Sequence, residues 1–156
     1  MIPEYEQLNE EEKDFMCSLP IYVSILIAGA DGKIDRQEIK KAVTFTNLKT
    51  KKARKELIEY YQNINKDFED KLKMTIANLP SDIKKREKHL IEEISRANDI
   101  FPKMEKVFTS KLYLSLKDIA KGIAEASGGV FGYMSVGYEE SRLIDLKMIK
   151  DPAKSK

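Results

Sequence analysis

Cysteine and histidine occur once each in these 156 residues, glycine seven times and proline five times. A lone cysteine, Cys17, cannot close an internal disulfide, and it excludes Cys₂ and Cys₄ metal sites within one chain. Cys17 sits in an apolar stretch and reads as core. The lone histidine, His89, excludes a multi-histidine zinc site. Its neighbours Lys85, Arg86 and Lys88 give it the look of a solvated helix face. Strand signals are nearly missing, with no Asn-Gly hairpin and no alternating pattern. A bias of charge is missing too. The net charge is +2, from 28 basic and 26 acidic residues, so the totals do not call for a polyanion, and no aromatic platform for stacking bases stands out.

A membrane-spanning run is also absent. No residue from Phe15 to Ala30 is charged, but the stretch is shorter than the roughly 20 residues a bilayer needs, and Pro20 interrupts it. Acidic residues (Glu10, Glu11, Glu12, Asp14) precede it where a secretory signal would be basic. The stretch therefore reads as a buried central helix, with no transmembrane segment and the cytoplasm as the default location.

What remains is a chain that is 42% hydrophobic and 35% charged, the composition of a globular protein with a heavily charged surface. Its length suits one domain with its own core. Helical periodicity is nearly continuous. The expected organisation is a single all-α domain over residues 1–150, a bundle of about seven helices, with a frayed tail at 151–156. A first helical region runs from about Asn9 to Ala30, kinked or split at Pro20, with Ser18 able to cap a restart. A turn follows, then a helix from Asp35 to about Thr46. The spacing of Leu57, Tyr61, Ile64, Phe68, Leu72 and Ile76 predicts one long helix from about Lys52 to Asn78.

Leu79-Pro80 ends that helix, and either Ser81 or Asp82 can cap the next, from Ile83 to about Ile100, with Leu90, Ile91, Ile94 and Ala97 inward. From about Met104 to Ala126 apolar residues occupy more than one face, Val107 and Leu114 among them, as expected of a central helix. A glycine-rich loop reaches Gly137, and a last helix spans about Tyr138 to Ile149. The lysine-rich stretch from Lys40 to Lys55 reads as a solvated surface more readily than as a phosphate-binding face.

Two segments echo each other. Ile27-Ala28-Gly29-Ala30-Asp31-Gly32 and Ile123-Ala124-Glu125-Ala126-Ser127-Gly128 each close an apolar helix, turn on glycine, and lead to a helix opening with acid. In the first corner the acids are Asp31, Asp35 and Glu38; in the second, Glu125, Glu139 and Glu140. Asp35 and Glu38 lie three apart, on one side of the starting helix. Carboxylates and loop carbonyls together make a hard, all-oxygen site suited to Ca²⁺ or Mg²⁺. Three carboxylates are few for calcium, so Glu125 and Glu139, or waters, would complete the shell. The loop is not an EF-hand, because its twelfth position would be Ala42. A metal-free account stands beside this one. Asp35-x-x-Glu38 is also a capping box, Gly32 a helix stop, and acids near a helix N-terminus are favoured by its dipole. That account leaves Asp31 without a role.

The string Ala28 to Glu38 resembles the signature turn of TerB-like domains, the tellurite-resistance family, Ala-x-Ala-Asp-Gly-x-Ile-Asp-x-x-Glu. The second echo sits where that family has its second acidic turn, but Ser127 stands in place of an aspartate, and a neutral hydroxyl is a weaker ligand. The resemblance implies an all-α bundle of about seven helices, divalent metal on the acidic residues (Asp31, Asp35, Glu38, Glu125 and Glu139) and a role in bacterial stress or phage response. No nucleophile–base pair, phosphate loop or multi-histidine set stands out, so the chain reads as non-enzymatic. Two functions compete: a metal-binding stress-response or scaffolding domain, and a metal-free helical module. In the second, the acidic turns only cap helices, and a loop bearing Phe131 and Tyr133 holds a protein partner or folds back as a lid.

Overall fold

The computed structural model describes residues 5–29, 44, 55–128 and 143–154, excluding the side chains of residues 56 and 126–128. Among these residues the protein is all-α, with no strand. The helices are α1 (Glu10–Ala28), α2 (Lys55–Asn65), α3 (Phe68–Asn78), α4 (Ile83–Ser95), the single turn α5 (Ala97–Ile100) and α6 (Lys106–Gly128). A 3₁₀ turn, Phe101–Lys103, joins α5 to α6, and another, Pro152–Lys154, lies near the C-terminus. None of the described helices is long and apolar enough to cross a membrane.

α1 begins with a full capping box. The Asn9 side chain accepts from the Glu12 amide at 2.8 Å, and the Glu12 carboxylate accepts from the Asn9 amide at 2.9 Å. Two orphan donors of the first turn are thereby satisfied. From Val23 to Gly29 every residue is buried, so this end is enclosed on all sides. The sequence suggested a kink or split at Pro20, yet α1 runs through it as one helix. Pro20 has no N–H, so the carbonyl of Met16, four residues back, loses its helical partner. Tyr60 supplies the missing donor: its hydroxyl reaches the Met16 carbonyl at 2.8 Å from 44 residues away. Ser24, a polar residue in this apolar segment, donates its hydroxyl to the Pro20 carbonyl at 2.7 Å. Both carbonyls are thus satisfied within the core.

The long helix expected over Lys52–Asn78 is two helices, broken at Lys66 and Asp67, where Asp67 leaves helical dihedrals (φ −141°, ψ 27°). Asn63, Asn65 and Asp67 crowd this point, and such side chains compete with the helix backbone for its hydrogen bonds. Leu57, Tyr61, Ile64, Phe68 and Leu72 are buried as their spacing predicts, whereas Ile76 is half-buried. Periodicity alone missed Tyr60, which is fully buried beside Tyr61. Neighbouring residues on a helix point about 100° apart. The two phenols therefore serve different elements: Tyr60 bonds α1, and Tyr61 shares a 2.6 Å hydrogen bond with Ser115 of α6. Their rings meet edge to face at 5.1 Å, and Tyr60 meets Phe108 of α6 in the same way at 5.9 Å.

Asp82, not Ser81, caps α4 through the Lys85 amide at 2.9 Å. Leu90, Ile94 and Ala97 are buried and Ile91 half-buried. The expected single helix over Ile83–Ile100 is interrupted at Arg96, whose guanidinium bonds Glu93 and Glu11 and lies 5.1 Å from the Phe15 ring centroid. Lys103 pairs with Glu12 close by, so the N-terminus of α1 is held by two cations from the α4–α6 connection. These pairs lie at the surface with partly covered side chains, and their contribution is modest. α6 packs along α1 and against α2. Its centrality matches expectation, but Val107 and Leu114 are exposed at 56% and 51%, so one apolar strip of α6 faces outward. Cys17 is half-buried at the edge of the core and accepts from the Asn63 amide group at 3.3 Å.

The last helix, expected to Ile149, does not persist there. Leu143 is still helical, but residues 144–149 are turns and a bend, and Leu146 adopts φ 47° while fully buried. A left-handed non-glycine residue costs roughly 1–2 kcal/mol, and burying a leucine side chain returns about 1.5–3 kcal/mol. Asn98 fixes the segment from α5. It donates to the Met148 carbonyl and accepts from the Lys150 amide, both at 2.8 Å. Pro152 is buried in a 3₁₀ turn where the sequence suggested fraying; residues 155 and 156 lie outside the described residues.

If Tyr60 stands in for the amide that Pro20 lacks, Y60F leaves a buried carbonyl unpaired and costs about 1–3 kcal/mol in urea denaturation. In a P20A background the backbone amide restored at position 20 takes over, and the same substitution costs markedly less. Equal costs in both backgrounds would disprove the substitution argument.

Burial raises the Tyr60 phenol well above the ordinary tyrosine range, helped by Tyr5 and Tyr61 nearby. Burial also raises Tyr61, against the opposing hydrogen bond from Ser115. A phenol held neutral in the fold stabilises it fully below the unfolded value of about 10; that stability is lost as pH climbs from there towards the folded values. Absorbance at the phenolate band should therefore show two of the seven tyrosines ionising only with loss of helical circular dichroism. Seven phenols titrating together, with helicity intact, would contradict the burial.

Candidate functional site

The corner that carries the sequence motif begins where α1 ends. Gly29 caps the helix (φ −95°, ψ 7°), its amide bonded to the Ile25 carbonyl at 2.9 Å. The last turn of α1 holds no basic residue, although the carbonyl end of a helix favours a cation. The cation comes from α4. Arg86 donates through its guanidinium to the Gly29 carbonyl at 3.0 Å, and its side chain is buried. This corrects the reading of Arg86 as part of a solvated face. Lys85 and His89 are exposed, as that reading has it. The spacing contained the signal: Arg86, Leu90 and Ile94 stand four apart, which puts all three on the buried side of α4.

Asp31, Asp35 and Glu38, the acids expected to hold a metal, lie outside the described residues, as does Glu139. Phe131 and Tyr133 of the glycine-rich loop and the Ser127 side chain lie outside them as well. Glu125 is described: it is an exposed carboxylate near the end of α6. Among the described residues, no group of three or more His, Cys, Asp or Glu side chains is arranged to hold a metal ion. Covalent geometry still limits the first acid. Asp31 follows Gly29 by two residues, so its Cα lies within about 7 Å of the Gly29 Cα. The buried guanidinium is thus a fixed positive charge at the base of the acidic turn.

Sequence reasoning also missed Asn98. Its two backbone bonds join positions 98, 148 and 150, and no local pattern announces a contact made across 50 residues. The chain matches no family model, no curated protein and no solved structure.

The anchoring role of Arg86 is testable by R86M, which keeps much of the buried stem and deletes the charge. A hydrogen bond from a charged group is worth about 1.5–3 kcal/mol, so R86M should lower stability by that order. Amide hydrogen exchange should rise first at the C-terminal turn of α1. Loss spread evenly over α1, or unchanged stability, would show that Arg86 does not anchor this helix end.

Proposed function

We propose that this chain is a non-enzymatic, TerB-like helical domain of about seven helices, acting as a scaffold in bacterial stress response, with the turn after α1 as its working corner. The motif from Ala28 to Glu38 supports the family reading. The observation that carries the corner is the buried Arg86 guanidinium on the Gly29 carbonyl. Burying a charge is unfavourable unless it is hydrogen-bonded, so a fold that buries one here is holding this helix end in a fixed position. Asp31, Asp35 and Glu38, with Glu125 and Glu139 completing the shell, are the oxygen donors for one Ca²⁺ or Mg²⁺ ion.

The same arginine favours a second reading. A resident cation beside the turn offsets part of its negative charge and repels a divalent ion. The corner then works without metal, as a rigid surface for a protein partner. Calorimetric titration with CaCl₂ and with MgCl₂, alongside melting curves, separates the two. On the metal reading, wild-type protein gives saturable heat and a raised Tm at millimolar metal, and D31N/D35N loses both. No heat and no Tm shift from either ion would remove the metal and leave the protein-binding surface.

A further inference from the structure

Residues 143–154 follow a period of three. Leu143, Leu146 and Ile149 are buried, and so is Pro152, whereas Asp145, Lys147 and Lys150 between them are exposed. The backbone keeps the same period. The Leu146 amide bonds the Leu143 carbonyl, and the Ile149 amide bonds the Leu146 carbonyl, both at 3.0 Å. Each bond closes a separate turn, without the four-residue ladder that makes an α-helix cooperative. The segment is thus a strap with one apolar edge, ordered by what it lies against. Its last turn, Pro152–Lys154, packs on α6.

Two features oppose the docking of this strap. Leu146 holds φ 47° with its side chain fully buried, and non-glycine residues in that region persist only where their surroundings enforce it, commonly at switch segments. The seam is also incompletely filled. A cleft of about 310 Å³ lies there, with Lys150 and Pro152 of the strap in its lining beside Phe101, Met104 and Thr109, so strap and helices do not meet at the packing density of an interior. Against these features stands Asn98 of α5. It donates to the Met148 carbonyl and accepts from the Lys150 amide, both at 2.8 Å. Asp151 of the strap has an interaction as well, but Asn98 grips the strap backbone itself, on either side of Ile149.

We propose that residues 143–154 form a latch that opens as a unit while α1 to α6 stay folded, with Asn98 as the catch and the left-handed Leu146 as the strained point that keeps closure marginal. Proteins open locally through such contiguous units, drawn from the least stable parts of the fold. Opening withdraws Lys150 and Pro152 from the cleft and uncovers Phe101 and Met104, which are buried while the strap is closed. An apolar surface is then presented in the open state alone. Whatever parts Asn98 from the strap, or binds the uncovered surface, shifts the protein towards that state.

Native-state amide exchange, followed by NMR at rising sub-denaturing urea, tests the latch. The Leu146 and Ile149 amides, both bonded in the closed strap, should exchange about tenfold or more faster than the interior amides of α1 and α6. Their rates should be nearly flat in urea, because the opening exposes little surface. N98A should speed both amides by about a further tenfold, the loss of two hydrogen bonds, with helical circular dichroism unchanged. A pair of Leu146 variants reads the strain. L146A keeps a side chain in the left-handed region and L146G does not, so exchange at Ile149 should be about fivefold slower in L146G than in L146A. At a residue with ordinary dihedrals glycine would be the looser of the two. The proposal is overturned if Leu146 and Ile149 exchange with the rate and urea slope of α1, if N98A leaves their rates unchanged, or if L146G exchanges as fast as L146A or faster.

Discussion

The fold turns on one hydrogen bond between a phenol and a backbone carbonyl. Pro20 is itself buried, in a helix whose residues 23–28 are all buried, where a missing amide cannot be replaced by water. An unpaired carbonyl in such surroundings costs about 1–3 kcal/mol, a large share of the stability of a domain this size. Tyr60 meets that need at 2.8 Å, and in doing so fixes the distance and rotation of α2 against α1. Tyr61, one residue on, fixes α2 against α6 through Ser115. A proline that would ordinarily break a helix thus becomes the reason that three helices have one relative arrangement. This is a directional constraint, which apolar packing alone does not supply.

From that centre α1 is held at both ends by different physics. At the N-terminus, Arg96 and Lys103 pair with Glu11 and Glu12 at the protein surface, and the Lys103 pairing, with the Asn9 amide, holds the Glu12 carboxyl below its ordinary value. These contacts are screened and adjustable. At the C-terminus a single buried guanidinium bonds the Gly29 carbonyl. Screening is weak there and the geometry is narrow. The helix is accordingly pinned hardest at the end where the acidic motif begins, and more loosely at the end that carries the capping box.

Much of this fold was legible in the sequence, and what was not has a common cause. The all-α class, the Asn9 start of α1, the inward faces of α2 to α4 and the central place of α6 follow from period and capping residues. Both are local properties. The errors arose where a residue's role is set by something distant in sequence. Pro20 reads as a kink or a split, and the continuity of α1 through it follows only once the Tyr60 hydroxyl, far along the chain, is known. Leu146 reads as helical until its burial is weighed against its left-handed backbone. The Asn98 clasp has no local signature at all. Arg86 differs, because its four-residue spacing with Leu90 and Ile94 was readable, and the lysines around it masked the pattern. As for the candidate corner, the motif itself was legible, whereas the cation at its base was hidden among surface lysines.

That cation completes the helix end from which the motif starts. Residues 31–38 carry three acids (Asp31, Asp35 and Glu38) and two bases (Lys33 and Arg36), a formal charge of −1, and they follow in sequence a helix that has no basic residue in its last turn. Arg86 donates to the Gly29 carbonyl and so supplies the cation that the carbonyl end of a helix favours. Arginine suits this position better than lysine, since its fork of donors can hold a carbonyl and still direct N–H groups elsewhere. The metal and metal-free readings therefore start from the same fixed helix end and differ in what meets the carboxylates that follow it in sequence.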